Sequence, residues 1–323
     1  MNWKWPKVYA VRHKDEAIRA DSRSGGIFTA LSDDVLSNGG VVYGCVLTED
    51  FAAMHIRAEN VGERNKMRGS KYVQSKLGNT FKNVKVDLDD QKNVLFSGTS
   101  CQVAGLKKYL GKEYGNLICV DIVCHGVPSK KVWGAYLRWQ EQKNSCKIIN
   151  VDFRNKKDFG WHEHIETLYF ENGKSTNSRI FKTLFYRHMI LRPSCYECLY
   201  KSVMHPGDIT IADYWGIDKA APEFDDNRGV SLVLVNNEVG EKALEQIKDK
   251  LFWKQTKLED SLQPPLEAPF PKPENREQFW YDFKNKQFEY ISKKYGDYRL
   301  WNDLKIFIKK IKRKIRKVVV NGE

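Results

Sequence analysis

The sequence predicts an α/β protein built on a mixed sheet. Short apolar stretches of strand length alternate with segments of helical periodicity through the first 140 residues. Two of these apolar stretches end in a turn that leads directly into a helix, as in α/β units. Residues 150–180 instead have the pattern of an antiparallel pair with Gly173 in the turn. The sheet is therefore expected to contain both kinds of pairing.

The first half of the chain supplies most of the predicted elements. Helices are predicted at 27–36, where Gly39 and Gly40 stop the periodicity, at 102–110, and from Pro128 and Ser129 to 139. The polar segment 68–73 is predicted to be a loop. Apolar composition and length predict strands at 8–11, 41–47, 55–58, 93–97 and 117–123.

The second half divides into a continuation of the sheet and a helical end. Strands are predicted at 208–215 and 230–235, and an amphipathic helix at 238–251. Five prolines between 264 and 273 mark an extended connector, and an aromatic-rich helical segment follows. We therefore expect a domain over residues 1–265, a connector with a helical segment over 266–303, and a basic amphipathic tail over 304–323.

Composition excludes several protein classes. With 323 residues, 41% of them hydrophobic, the chain has enough apolar material to bury a core. It contains no apolar run of membrane-spanning length, and its first residues do not resemble a secretory signal. A cytoplasmic location is expected, where the seven cysteines would not pair as disulfides. The net charge is +13, but eight basic residues lie between 304 and 320, so no nucleic-acid partner is indicated.

Four cysteines lie where ligands would converge. Cys101 is at a strand-to-helix turn, Cys124 follows an apolar strand, and Cys195 and Cys198 form a C-x-x-C in a loop. Four thiolates is the ligand count of a [4Fe–4S] cluster and of a structural zinc, and the spacing does not distinguish the two. Free cysteines are also common core fillers, which is the interpretation favoured for Cys45 and Cys119.

Two strand–loop–helix segments have the chemistry of anion-binding loops. In the first, Ser22, Ser24, Gly25 and Gly26 precede a helix that contains Thr29. Glycines allow close approach of a ligand, and the free N–H groups at a helix start bind negative charge. The second segment contains Gly98 and Thr99, and Arg68, Lys71 and Tyr72 add a basic and aromatic patch. The alternative for each loop is an ordinary helix cap.

Taken together, these segments resemble the coenzyme F420 hydrogenase/dehydrogenase beta-subunit family over roughly residues 8 to 270. The family has proline where this chain has Ser100. The matching segments are 22–31 (SRSGGIFTAL), 68–73 (RGSKYV), 96–106 (FSGTSCQVAGL), 121–129 (DIVCHGVPS), the C-x-x-C at 195–198, and 207–216 (GDITIADYWG).

The resemblance implies an oxidoreductase that binds FAD and one [4Fe–4S] cluster. Electrons would pass from a ferredoxin-like or flavodoxin-like donor through the cluster and the flavin to a small-molecule acceptor. That acceptor would be the deazaflavin coenzyme or another substrate, in bacterial relatives one linked to polysaccharide biosynthesis. The family motifs place the cluster ligands at Cys101, Cys124, Cys195 and Cys198, and the flavin contacts at Ser22, Ser24, Gly25, Gly26, Thr29, Arg68, Lys71 and Tyr72.

Three further interpretations remain open at the level of sequence. His125 and His162 are the predicted proton donors, and each has a structural alternative. The spacing of isoleucines among lysines in 304–323 is typical of a helix lying on an anionic membrane surface, or else of a solvated terminus. A zinc-stabilised sugar or nucleotide transferase, or a non-catalytic assembly protein, would use the same cysteines without a flavin.

Overall fold

The polypeptide folds around two sheets, one of eight strands and one of three. The computed structural model describes residues 6–298, 305, 306 and 308–313. These residues form two units. The first unit contains the described residues up to Lys71 together with Ser75–His125 and Glu197–Pro269, and the second contains Tyr72–Gln74, Gly126–Tyr196 and the described residues from Phe270 onwards.

The eight-stranded sheet belongs to the first unit and is mixed, as the sequence predicted. Its strands occur in the order β11-β1-β10-β9-β5-β4-β2-β3. The strands are β1 (Lys7–His13), β2 (Val41–Leu47), β3 (Ala53–Ala58), β4 (Val94–Thr99), β5 (Leu117–Ile122), β9 (Ile209–Asp213), β10 (Ser231–Val235) and β11 (Leu251–Thr256). The three-stranded sheet consists of β6 (Ile148–Asp152), β7 (Glu166–Phe170) and β8 (Ser175–Ser178).

Residues 305, 306 and 308–313 are helical, and twelve further α-helices of the described residues accompany these strands. They are α1 (Glu16–Asp21), α2 (Ile27–Ser37), α3 (Val61–Asn65), α4 (Thr80–Asp89), α5 (Ser100–Leu110), α6 (Lys130–Asn144), α7 (Lys156–Phe159), α8 (Ile180–Tyr186), α9 (Ile217–Ala220), α10 (Glu238–Gln246), α11 (Arg276–Asn285) and α12 (Phe288–Lys294). None of the helices in this part of the chain is both long and apolar enough to cross a bilayer.

The centre of the large sheet is parallel and covered on both faces. Strands β2, β4, β5 and β9 pair in parallel, while β1, β3, β10 and β11 pair antiparallel with their neighbours. Parallel strands carry near-continuous apolar sequence because both of their faces are buried. Accordingly Leu95 and Val120 pack into one core with residues of α2 and α10, whereas Phe96 and Cys119 pack into another with residues of α4 and α5.

The second unit confirms the predicted antiparallel pair. Strands β7 and β8 pair antiparallel, and Gly173 in the turn has a φ of +75°, which a residue without Cβ adopts easily. Strand β6 adds to the other edge of β7. The side chain of Trp133 on α6 packs against Phe153 and Phe181, with ring centroids 4.8 and 4.7 Å away. Aromatic packing thus forms much of the core of this unit.

One predicted helix is shorter in the structure, and two further predictions concern the domains and the tail. The helix predicted at 238–251 ends at Gln246, and residues 251–256 form the edge strand β11 on β1. Residues 126–196 lie in a unit separate from the rest of the expected 1–265 domain, because they carry their own sheet and core. Most of the tail lies outside the described residues. Where it is described, Ile306 is buried with Phe159 and Ile165.

Candidate functional site

Cys101 and Cys124 follow the ends of two neighbouring parallel strands at equivalent positions. In the parallel pair of β4 and β5, Thr99 is opposite Ile122. Cys101 and Cys124 each follow two residues later. Paired strands lie about 4.8 Å apart, and the ends of parallel strands meet at one edge of a sheet. The fold therefore brings these two thiol-bearing turns together at the carboxyl edge of the first unit.

The loop that carries Cys198 is attached to both of these turns. The buried Lys201 donates from Nζ to the carbonyl oxygen of His125 at 2.8 Å, next to Cys124. His205 Nδ1 lies 3.1 Å from Oγ of Ser100, next to Cys101. Two polar contacts thus fix the loop, at positions three and seven residues after Cys198, beside the ends of β4 and β5.

Cys195 belongs to the second unit, where it ends a short 3₁₀ turn, Pro193–Cys195. Its Sγ accepts a hydrogen bond from the Val127 N–H at 3.4 Å. An amide N–H directed at sulfur stabilises the thiolate form, which is the form that binds metals. The Val127 N–H thus provides a hydrogen-bond donor to the sulfur of Cys195.

All seven cysteines are free thiols, and their surroundings separate them into classes. Cys119 is fully buried in the core, and burial raises the pKa of its thiol far above the ordinary value. Burial also raises the pKa of Cys45, although this residue is only half-buried, so the expectation of a core position holds fully for Cys119 alone. Cys101 is exposed, with Oγ1 of Thr99 3.2 Å from its sulfur.

The carboxyl edge of the first unit offers thiol side chains as possible metal ligands. Among the described residues, no group of three or more His, Cys, Asp and Glu side chains is arranged to hold a single metal ion. Thiolates of a cluster bind different irons, whereas those of a zinc site all contact one centre. The soft thiolate donors at the carboxyl edge have the chemistry of both an iron–sulfur cluster and a structural zinc.

The loop before α2 is held mainly by its own hydrogen bonds. Ser22 Oγ donates to the Ile18 carbonyl at 2.7 Å, and Ser24 Oγ donates to the Val230 carbonyl at 2.6 Å. A Cβ on Gly25 would lie 2.1 Å from the carbonyl oxygen of Val11, so this glycine is required by packing against β1. The two serines and this glycine thus have structural roles that the sequence did not reveal.

Gly26 and Thr29 are better placed for a ligand. Gly26 precedes α2 with a φ of +95°, a conformation that favours glycine. The Thr29 side chain is buried, and its Oγ1 has no hydrogen-bond partner among the described residues. A buried hydroxyl without a partner is uncommon and indicates a missing water or ligand. The helix start therefore offers one hydroxyl and free N–H groups to an anion.

The second predicted loop lies at the carboxyl edge of the first unit, beside Cys101 and Cys124. We call this region the cysteine edge. Gln102 Oε1 accepts hydrogen bonds from the N–H of Thr99 at 3.0 Å and from its hydroxyl at 3.1 Å. This cap fixes the start of α5. A Cβ on Gly98 would approach Gln102 Oε1 to 3.0 Å, so a larger residue would crowd the cap. Gly98 and Thr99 therefore orient the helix that carries Cys101.

Arg68 and Lys71 lie in the loop after α3. Arg68 contacts the Asp21 carboxylate at 3.3 Å, directly before Ser22. Lys71 Nζ donates to the carbonyls of residues 66, 68 and 69 at 2.7–3.1 Å, and desolvation lowers its pKa to about 8. Arg68 thus lies beside the loop that precedes α2. Lys71 instead stabilises the loop after α3 through hydrogen bonds to its carbonyl groups.

The remaining predicted residues are in different surroundings. Tyr72 belongs to the second unit, where its ring packs against Phe153, His164 and Phe185 at 5.0–5.8 Å. His162 also belongs to that unit, in an exposed turn before β7. His125 follows Cys124 in the first unit. The two predicted proton donors are therefore on separate units.

A groove of about 220 Å³ lies elsewhere on the first unit, between β3 and the start of α4. Its walls include His55, Arg57 and Asn79, and none of the predicted site residues lines it. The groove is therefore distinct from the predicted site residues.

Sequence reasoning missed a buried carboxylate–imidazole pair at the cysteine edge. Asp121 on β5 is fully buried, and its Oδ2 lies 3.1 Å from Nδ1 of His205. The one available signal was the interruption of the apolar run 117–123 by an acidic residue. The partner could not be inferred, because it lies 84 residues later in a loop.

Comparison with solved structures shows the same fold in a larger assembly. A chain of the F420-reducing [NiFe] hydrogenase complex from Methanosarcina barkeri superposes with a TM-score of 0.55 at 19% identity. The match covers 78% of this chain and 82% of that chain. A comparison with curated proteins gives no match.

Two family models match the sequence in succession. The N-terminal model of the coenzyme F420 hydrogenase/dehydrogenase beta subunit matches residues 8–82. The C-terminal model of the same beta subunit matches residues 91–261. Together they span β1 to β11, including the four cysteines and both loops. The chain therefore belongs to the coenzyme F420 hydrogenase/dehydrogenase beta-subunit family, a family of redox enzymes.

Proposed function

We propose that this protein is an iron–sulfur flavoprotein oxidoreductase that transfers electrons through a [4Fe–4S] cluster and FAD. The observation that carries the proposal is the cysteine edge of the first unit. There Cys101 and Cys124 end adjacent strands, and the loop with Cys198 is fixed beside them. The family pattern adds Cys195. When bound, the cluster supplies one-electron steps and the flavin couples them to a two-electron acceptor.

The polypeptide contributes binding and orientation. Thr29 and the first N–H groups of α2 would hold a phosphate of the FAD, and Arg68 adds positive charge next to that loop. Thr99 and Gln102 orient the helix that carries Cys101. His125 and His162 remain the proposed proton donors. Lys71 closes the loop that follows α3.

The proposed electron donor is a ferredoxin-like or flavodoxin-like protein, and the acceptor is a small molecule. Such donors are acidic, and the net charge of +13 would attract them over long distances. The deazaflavin coenzyme is the first acceptor to test, because it is the coenzyme that the family description names. We further propose that the basic tail, residues 304–323, contacts anionic membrane surfaces.

The test is anaerobic purification followed by determination of iron, sulfide and acid-released flavin per chain. We expect about four irons and one flavin per chain. Cys198→Ser should lose the iron, whereas Cys146→Ser should keep it, because Cys146 lies outside the edge. A colourless protein with about one zinc per chain would reject the redox function and favour the zinc-stabilised alternative.

A further inference from the structure

The carboxyl group of Asp121 is the centre of a buried polar network in the first unit. Its side chain has no exposure to solvent. Thr210 donates from Oγ1 to Oδ1 at 2.5 Å, and the N–H of Gly207 lies 3.4 Å from Oδ2. The glycine is required, because a Cβ there would lie 2.9 Å from Cγ of Asp121. The network holds the carboxylate in one orientation.

The imidazole of His205 joins this network through only one of its two ring nitrogens. Its side chain is 1% exposed, and Nδ1 lies 3.1 Å from both Oδ2 of Asp121 and Oγ of Ser100. A carboxylate only accepts hydrogen bonds, so Nδ1 carries the proton. The other ring nitrogen, Nε2, is buried and has no partner among the described residues. A buried ring nitrogen of this kind calls for a bound group.

The position of this histidine connects two of the proposed cluster ligands. Ser100 is the first residue of α5 and directly precedes Cys101. His205 is on the loop that begins at Cys198, and Lys201 attaches the same loop beside Cys124. Removing the imidazole would remove the contacts of this loop with Asp121 and Ser100, while Lys201 and Gly207 keep their own contacts.

We propose that His205 is a positioning residue for the metal centre, fixed through Nδ1 and in contact with the bound centre through Nε2. This inference rests on the proposed function. Groups outside the ligand shell of a metal site orient the ligands and adjust the properties of the metal. His205 would therefore set where Cys101 and Cys198 lie relative to each other.

Ser100 makes this arrangement particular to this chain, because the family motif has proline at that position. The residue occupies the first position of α5, where proline is well tolerated. Ser100→Pro would therefore remove one hydroxyl contact of His205 and leave the helix intact. It provides a mild variant that folds even if stronger substitutions at His205 do not.

The experiment compares four variants: His205→Ala, His205→Asn, Asp121→Asn and Ser100→Pro. The asparagine at 205 keeps a donor for Asp121 but has no equivalent of Nε2. In His205→Ala and Asp121→Asn we expect iron affinity to fall about 10-fold or more, as for other partners of metal ligands. In His205→Asn and Ser100→Pro we expect iron content close to that of the parent.

Two further readouts separate positioning from simple loss of structure. In metal-free protein, alkylation of Cys198 should be faster in His205→Ala than in the parent, with Cys146 as the internal reference. In the reduced, loaded protein, pulsed EPR with ¹⁵N-labelled histidine should show a nitrogen coupling that His205→Asn lacks.

Three results would overturn the inference. One is iron content and Cys198 alkylation in His205→Ala that match the parent. Another is a nitrogen coupling that persists in His205→Asn. The third is a parent protein without iron, which would reject the proposed function and the Nε2 contact together. In that case alkylation of the metal-free protein would still decide whether His205 anchors the loop.

Discussion

At the scale of single residues, the clearest indications of function are polar atoms that burial has isolated. Folding normally pairs buried hydroxyl and ring nitrogen groups, so an unpaired one has a cost that another feature must offset. Thr29 Oγ1 and His205 Nε2 are such atoms, and His205 lies between two segments of the family pattern, 195–198 and 207–216. Residue type alone could not distinguish them from the serines beside Thr29, whose hydroxyls bond within the fold.

Replacing Thr29 with valine should separate stability from cofactor binding. The flavin-free variant is expected to be as stable as the parent or more stable, because the substitution removes a buried hydroxyl without a partner. Flavin affinity should fall about 10-fold, which corresponds to one lost hydrogen bond to a charged group. Thermal unfolding and flavin titration measure the two effects, and loss of stability without loss of affinity would contradict the assignment.

A second residue, Glu166, gives the second unit a pH-dependent stability. It is fully buried on β7, near the Lys182 N–H and the Tyr136 hydroxyl, and burial raises its pKa to about 8. The folded state therefore holds a proton that the unfolded state releases near pH 4.5. The resulting stabilisation is complete below that pH and is lost as the pH rises through about 8.

We therefore expect Glu166→Gln to match the parent at pH 5 and to be more stable at pH 8.5, by about 1 to 4 kcal/mol. Urea denaturation at the two pH values measures the difference. Glu171→Gln, at an exposed turn position, is the matched control and should show no such change. Equal pH dependence in Glu166→Gln and the parent would show that this carboxyl is ionised in the folded protein.

At the scale of elements, predictions succeeded where the signal was local. The strands β2, β4 and β5 and the helices α2 and α5 follow from apolar runs, glycines and caps within their own segments. The strand β11 does not, because four of its six residues are exposed and its partner β1 lies about 240 residues earlier. Leu251 falls on the apolar stripe of α10. Periodicity alone therefore predicted that the helix continues to residue 251. The contact of His205 with Asp121 was equally nonlocal.

The entry of the chain into α2 depends on Gly25. Alanine at this position would place its Cβ 2.1 Å from the Val11 carbonyl and 2.7 Å from the Ser231 N–H, both backbone atoms of the central sheet. We expect Gly25→Ala to destabilise the protein by about 3 kcal/mol or more, as severe overpacking does. Gly115→Ala, with open space at the Cβ, should change stability by less than about 0.5 kcal/mol. Chemical denaturation that gives equal values would contradict this account.

At the scale of the whole molecule, charge is concentrated at the C-terminal end. The described part of the tail is attached to the second unit by Ile306 and by ion pairs of Lys309 with Glu163 and of Lys310 with Asp158. Ile308 and Ile311, which belong to the predicted apolar stripe, are about 40% exposed. A deletion of residues 304–323 would thus remove both core packing and the basic segment.

Truncation after Arg313 is therefore the cleaner test of membrane contact. It retains Ile306 and both ion pairs and removes three of the eight basic residues between 304 and 320. We expect binding to anionic vesicles to weaken by about tenfold or more, since each basic residue near such a surface contributes about 1 kcal/mol. Neutral vesicles serve as the control in a sedimentation assay. Unchanged binding to anionic vesicles would exclude the tail as the contact.

The position of β1 between β10 and β11 has a consequence for synthesis on the ribosome. The first strand of this sheet to be synthesised has both of its partners far along the chain, at residues 231–235 and 251–256. Until those residues emerge, both edges of an apolar strand remain open to pairing with other chains. Pairing of β1 on both edges therefore has to wait until residues 251–256 have been made, and protection of β1 by a chaperone is expected to matter until then.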